Sequence, residues 1–166
     1  MKVLRILDDK LEEYFLVTVL AAMCTLVFVQ VIMRYVFGSA LFWSEELARY
    51  MFLWLIWIGA AYATKKRSHI VITFFVNKLS GTPRKIINAI VILAWIGFAT
   101  FLTLVGWQLT TLILNMGQLS PAMRIPIGFV YASVPVGCGL MVIRLIQNVI
   151  KDQLELRRNK KEVRDQ

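Results

Sequence analysis

Four stretches of this chain are long and apolar enough to leave the polypeptide one kind of fold. They are 14–33, 44–64, 86–114 and 126–147, and each approaches or exceeds the ~20 residues that a helix needs to cross a hydrocarbon core of about 30 Å. Hydrocarbon supplies no hydrogen-bond partners, so a backbone inside it must satisfy itself within a helix or a closed barrel. Continuous apolar blocks select the helix, because a barrel strand alternates apolar and polar residues. The expectation is an all-α membrane protein with four transmembrane helices. Composition agrees: 58% of the 166 residues are hydrophobic and 17% charged. The net charge of +9 does not point to nucleic acid, since the Lys and Arg residues flank the apolar blocks, as membrane topology requires.

In chain order, residues 1–13 mix charges with Leu4, Leu7 and Leu11, a stripe at helical spacing that suits an amphipathic lead-in at the lipid headgroups. Tyr14 to Met33 carries no charge. A cleaved signal peptide is the alternative, but Asp8, Asp9, Glu12 and Glu13 spoil its basic start and no small-residue cleavage site follows, so the segment reads as an uncleaved anchor. The second crossing, 44–64, ends before Lys65-Lys66-Arg67. Residues 70–79 are too short to span, but Val71, Phe74, Phe75 and Leu79 share a helical face, which predicts a short interfacial amphipathic helix. Ser80-Gly81-Thr82-Pro83 breaks it, and the third crossing, 86–114, is long enough to tilt or project from the bilayer. The last crossing, 126–147, contains Pro135, which lacks an amide hydrogen and predicts a kink. Residues 151–166 read as a solvated charged tail.

Sixteen of the 19 Lys and Arg residues fall on one side of this arrangement, and only Arg34, Arg49 and Arg124 on the other. The positive-inside rule then places both termini in the cytoplasm and the 34–46 and 115–126 loops outside.

The mouth of the second crossing, Phe42-Trp43-Ser44-Glu45-Glu46-Leu47-Ala48-Arg49-Tyr50, concentrates the mid-chain polar residues. Ser44 reads as an N-cap with Glu45 and Glu46 in the first turn, where the helix dipole favours negative charge. Glu45 and Arg49 stand four apart, acid before base, the spacing of a helical ion pair. That arrangement is either local capping and pairing or a contact with a partner. Tyr50, Trp54, Trp57 and Ala61 make one aromatic face, and Gly59 with Ala63 allows another helix to come close.

What is missing limits the chemistry. No Asp or Glu lies between Glu46 and Asp152, so the bilayer interior offers neither a carboxylate for ion coupling nor an acid/base pair. The lone His69 and the mid-block Cys24 and Cys138 make no metal, haem or disulfide site, and no cofactor and no enzymatic activity is expected. Thr100, Thr103, Trp107 and Thr110 share a face of the third crossing, where hydroxyls usually bond back to their own helix. Gly128, Ala132, Pro135 and Gly139 form a groove of small residues in the last crossing, open either to the chain's own second helix or to a partner's. The chain reads as a subunit.

The sequence resembles the DctQ-like small membrane subunit of tripartite ATP-independent periplasmic (TRAP) transporters. The likeness rests on the 42–50 motif with Gly59-Ala60-Ala61, on His69-Ile70, and on Ser120-Pro121-Ala122-Met123-Arg124-Ile125-Pro126 leading to Tyr131-Ala132-Ser133-Val134-Pro135-Val136-Gly137. Val71-Ile72-Thr73 departs from it, standing where the resemblance implies a more polar segment with an Asp. The resemblance implies a multi-pass protein of the bacterial inner membrane. Its partners would be a large membrane subunit that carries the sodium and substrate sites, a periplasmic binding protein that delivers a carboxylate-bearing solute, and membrane lipids. In that setting Trp43, Trp54 and Trp57 would anchor the second helix at the interface or on the large subunit. Glu45 and Arg49 would fix its outer end, and the outward loops, with Glu46 at the end of one and Pro121, Arg124 and Pro126 on the other, would help dock the binding protein. Two other readings stay open, an assembly subunit of another membrane complex and a self-sufficient small transporter or channel. The topology is checked by fusing reporters after Gln166: a cytoplasm-dependent fluorescent protein should be active there and alkaline phosphatase silent.

Overall fold

The computed structural model describes residues 2–39, 41–66 and 82–162, and these form helices joined by short loops. The helices are α1, Lys2–Tyr35; α2, Phe42–Lys65; α3, Thr82–Asn115; the single turn α4, Gly128–Tyr131; and α5, Ser133–Glu162. Four segments are long and apolar enough to cross a membrane: Glu12–Tyr35, Phe42–Lys65, Ala89–Asn115 and Gly128–Lys151. The all-α, four-span reading therefore holds. The segment expected to form an interfacial helix, 70–79, lies outside the described residues, as does His69.

Several helices run past their expected ends. The lead-in is no separate element: α1 is continuous from Lys2, because residues 1–13 contain neither Gly nor Pro to break it and are rich in Leu, Lys and Glu. α3 starts at Thr82 and so is ~50 Å long at 1.5 Å per residue, more than one bilayer core. The expected tail continues α5 as far as Glu162. α2 begins two residues before Ser44, with Leu41 at the cap and no side-chain cap bond. Ser44 sits instead inside the first turn, fully buried, and its Oγ donates to the Leu41 carbonyl at 2.7 Å, which satisfies a hydroxyl that has no access to water. Glycines with left-handed backbone follow two helices: Gly38 (φ 62) after α1, where the Ser39 amide reaches back to the Met33 carbonyl at 3.0 Å, and Gly117 (φ 64) after α3.

Pro135 acts where its chemistry predicts. The last crossing is interrupted at Ala132, between α4 and α5, near the Tyr131 carbonyl that a Pro135 amide would otherwise have bonded. Ser133, buried at the break, turns its Oγ to the Val130 carbonyl at 2.7 Å.

The helices form an open row and not a closed bundle. α1 packs along α2, α2 along α5, and α5 along α3, while the backbones of α1 and α3 at the two ends do not approach each other. The core is thin, centred on Ala61 of α2, Ala99 of α3, and Met141 and Leu145 of α5. The remaining apolar surface, such as Phe28 on α1 and Phe101 and Leu104 on α3, is exposed, as expected where lipid or another subunit is the surroundings.

Small residues set the two closest approaches. A Cβ on Gly137 would lie 2.5 Å from Trp57 Cβ and 2.8 Å from the Trp57 carbonyl carbon, so α5 meets the backbone of α2 there. The groove of small residues is covered by α3: a Cβ on Gly128 would run into the Leu114 side chain, Pro135 Cδ lies against Gly106, and Gly139 faces Thr103. Neither α2 nor a partner occupies that stripe, because α3 is the longer neighbour and its own Gly106 offers the complementary gap. Gly137→Ala should therefore force α2 and α5 apart and cost about 1–3 kcal/mol, read as a lower Tm in detergent. Gly139→Ala, whose new methyl would meet Thr103 Cγ2 at an ordinary 3.8 Å, should leave Tm nearly unchanged.

Candidate functional site

At the amino-terminal end of α2 the loop that follows α3 folds down over the helix mouth. Leu119 and Pro126 form a bridge, the Ser120 amide donates to the Ile125 carbonyl at 2.8 Å, and the Ile127 amide donates to Gln118 at 3.0 Å. Ser120 is fully enclosed, and its Oγ accepts from the Ile125 amide at 3.3 Å. Between these ties, the Ala122 and Met123 amides point out of the loop and into α2. Both donate to one oxygen of Glu46, Oε2, at 2.9 and 3.0 Å. The Tyr50 hydroxyl, one turn further along α2, donates to the other oxygen.

Glu46 is thus held by three donors from two elements and is buried, with 8% of its surface exposed. A carboxylate so occupied is a ligand for a loop; charge-assisted bonds to fixed amides are the strong kind. Its effect passes to Arg124, the one described non-glycine residue with left-handed backbone (φ 53), whose amide donates to the Ser120 carbonyl at 3.1 Å and whose side chain is exposed. The tie between Glu46 and the loop holds that strained residue at the protein surface.

The neighbouring pair expected from spacing, Glu45 with Arg49, does not form. Glu45 turns to α1, where Gln30 Nε2 donates to it at 3.0 Å and Arg34 stands at 3.7 Å. α1 lies beside that face of α2 and brings a fixed amide and a cation, whereas an i,i+4 pair on an exposed surface is worth only a few tenths of a kcal/mol. Arg49 is left exposed on α2.

A second polar cluster, at the opposite ends of the same helices, was not foreseen. Arg144, only 6% exposed, donates from Nε (3.1 Å) and from its terminal nitrogen to Glu12 Oε1, and from its other nitrogen to Gln147 at 2.9 Å. Lys65 lies 3.6 Å from the other Glu12 oxygen. Asn148 Nδ2 donates to the Thr64 carbonyl at 2.9 Å, and the Tyr62 hydroxyl donates to Glu13 at 2.7 Å. This cluster joins α1, α2 and α5. The signal available in the sequence was Arg144 itself, a cation within the last apolar block that needs an acid, with Glu12 and Glu13 at a matching depth.

Other residues singled out in the sequence take plain positions. Trp43 is half exposed at the amino-terminal end of α2, Trp54 is partly buried, and Trp57 supports Gly137. Pro121 is exposed in the loop turn, and Pro126 closes the bridge. Ala132 lies at the break between α4 and α5. The Thr103 and Thr110 hydroxyls bond back to the Ala99 and Gly106 carbonyls at 2.8 and 2.7 Å and do not line a pore, while Trp107 faces outward. Cys24 and Cys138 are free, and no group of His, Cys, Asp and Glu able to hold a metal occurs among the described residues.

Among the described residues, the buried charged groups, Glu46 and Arg144, tie helices and loops together, in a protein with four helices long and apolar enough to cross a membrane. Residues 23–155 match the family described as tripartite ATP-independent periplasmic transporters, DctQ component, and the chain belongs to that family. A putative TRAP transporter small permease protein of Haemophilus influenzae is 32% identical over 145 residues, covering 85% of this chain and 89% of the relative. The isethionate TRAP transporter permease protein DctMQ of Oleidesulfovibrio alaskensis is also 32% identical, over 86% of this chain but 24% of its own length. The sialic acid TRAP transporter permease protein SiaT of Haemophilus influenzae is 30% identical over 84% of this chain and 22% of its own. This chain therefore spans about a quarter of the two longer permeases. It is a transport component of the inner membrane and not an enzyme.

Two substitutions probe the polar ties. Glu46→Ala should leave the Ala122 and Met123 amides without an acceptor, so that their hydrogen exchange quickens on the order of tenfold, with Glu46→Gln intermediate. Arg144→Leu should destabilise by about 1–3 kcal/mol, because Glu12 then keeps only the Lys65 cation at 3.6 Å in place of two charge-assisted hydrogen bonds, and Arg144→Lys should lower Tm less.

Proposed function

We propose that this chain is the small, stationary subunit of a binding-protein-dependent TRAP transporter, a frame for a large membrane subunit that moves the solute. The observation that carries the reading is the size of the match in DctMQ and SiaT, where a segment like this chain is part of a single longer permease polypeptide. Covalent continuity in those relatives supports a lasting non-covalent association here. The absence of any carboxylate between Glu46 and Asp152, and the engagement of Glu46 by three donors, support a role without ion coupling of its own.

Similar proteins carry names for isethionate, C4-dicarboxylate and sialic acid, so the solute we propose is a small organic anion, of the C4-dicarboxylate or sialic acid type, imported with sodium by the partner. Both termini lie in the cytoplasm on this reading, because the Lys and Arg residues gather on that side. The loop held by Glu46 then faces the periplasm and forms part of the docking surface for the binding protein, with Arg124 at its tip. Reconstitution tests this directly: the complete complex should accumulate the solute under a sodium gradient when the binding protein is present, and this chain alone should not. Arg124→Ala should raise the binding-protein concentration needed for half-maximal uptake several-fold, with expression and Tm unchanged. Unaltered uptake would remove the docking role, and solute accumulation by this chain alone would overturn the frame role.

A further inference from the structure

The hairpin of α1 and α2 carries an ionic level at each end. At one end Glu12 of α1 lies 3.6 Å from Lys65 of α2, with Arg144 of α5 beside them. At the other, Arg34 of α1 stands 3.7 Å from Glu45 of α2. At 1.5 Å per residue the helix from Lys65 back to Glu45 is about 30 Å long, and that from Glu12 to Arg34 about 33 Å. This separation is the thickness of a hydrocarbon core, so the two levels mark its boundaries.

Past the second boundary the chain stays apolar. From Tyr35 to Trp43 it has no charged residue. Tyr35, Val36, Phe37 and Phe42 each expose two thirds or more of their surface, and Trp43 nearly half. All five stand within three residues of Arg34 or Glu45, about 4.5 Å of helix, and the headgroup layer extends roughly 5–7 Å beyond the hydrocarbon. Nor does the chain rise further after Phe37. Gly38 takes left-handed backbone (φ 62), and the Ser39 amide reaches back to the Met33 carbonyl at 3.0 Å, which folds the chain down over the end of α1. The five side chains are therefore at headgroup depth.

Their arrangement favours lipid over a protein partner as the cover. Tyr35, Val36 and Phe37 are consecutive, as are Phe42 and Trp43, and consecutive helical residues point about 100° apart. Exposure thus encircles the tip, whereas a docked protein covers one side of it. Tyr and Trp, each an apolar ring with one polar group, are also the side chains that settle where hydrocarbon meets headgroups.

We propose that Tyr35, Val36, Phe37, Phe42 and Trp43 form a collar seated among the lipid headgroups, which fixes the depth of the α1–α2 hairpin and so the height at which Glu46 holds the loop after α3. Of the two loops at this end, the one with Gln118 and Arg124 exposed is then the one that meets water. Trp43 serves as a lipid anchor and not as a contact with the large subunit.

Nitroxide labels read the depth. Cys24→Ala and Cys138→Ala remove the native thiols, and Phe37→Cys, Trp43→Cys or Arg124→Cys supplies a single site in the full chain, placed in vesicles of phosphatidylethanolamine and phosphatidylglycerol. The ratio of collisions with oxygen, which concentrates in lipid, to collisions with a water-soluble nickel chelate should be several-fold higher at Phe37→Cys and Trp43→Cys than at Arg124→Cys. Equal ratios at the three positions overturn the proposal, because the tip would then stand no deeper than the other loop. Repeating the measurement on the purified complex in the same lipids separates lipid from protein cover. Retained oxygen access at the collar is expected; its loss at both collar positions overturns the proposal. Phe37 and Trp43 lie on either side of the turn, so a label that disturbs one leaves the other to report.

Discussion

Every polar group this chain carries into hydrocarbon must find a partner on protein, because the solvent there offers none. That requirement accounts for more of the architecture than the apolar packing does. Lipid tails are as apolar as leucine, so the helices gain little by hiding apolar surface from them, and the described core is correspondingly thin. The row is instead tied at its two ends by charged hydrogen bonds: Glu46 to the loop after α3 on one side, and Glu12 with Arg144 on the other. Between them, close backbone approaches at Gly137 against Trp57 and at Pro135 against Gly106 set the helix spacing.

An open row has a consequence for function. A closed bundle would spend its helix faces on itself, whereas here α1 and α3 meet only one neighbouring helix backbone each among the long helices. Such a shape presents broad surface for its mass, which fits the frame role proposed above. Rigidity in this frame comes from ties that span elements distant in sequence, such as Glu46 with Ala122 and Glu12 with Arg144.

The ties are also unlike in kind. At the amino-terminal end of α2 an anionic side chain binds main-chain amides, so the loop sequence matters for its shape more than for its side chains, and Arg124 is exposed at the surface. At the other end side chains bind side chains, with Arg144 shared between Glu12 and Gln147. The first arrangement displays a loop and the second fastens helices.

Membership in a family of transporter components, the number of crossings and the break before Pro135 were all legible in the sequence, because they depend on local properties: apolar length, motif residues and a missing amide hydrogen. The extra reach of α1 is hidden by the charges of residues 1–13, which mark where the apolar block begins but contain nothing that breaks a helix. Side-chain partners were where local reasoning failed. Ser44 was expected to cap, Glu45 to pair with Arg49, and the small residues of the last crossing to meet α2 or a partner; the structure gave Ser44 to the Leu41 carbonyl, Glu45 to α1 and the small residues to α3. Sequence spacing ranks the partners a residue can reach along its own helix, but a buried charge takes the best-placed donor in three dimensions. Which donor that is depends on how the helices pack, and only the tertiary structure decides it.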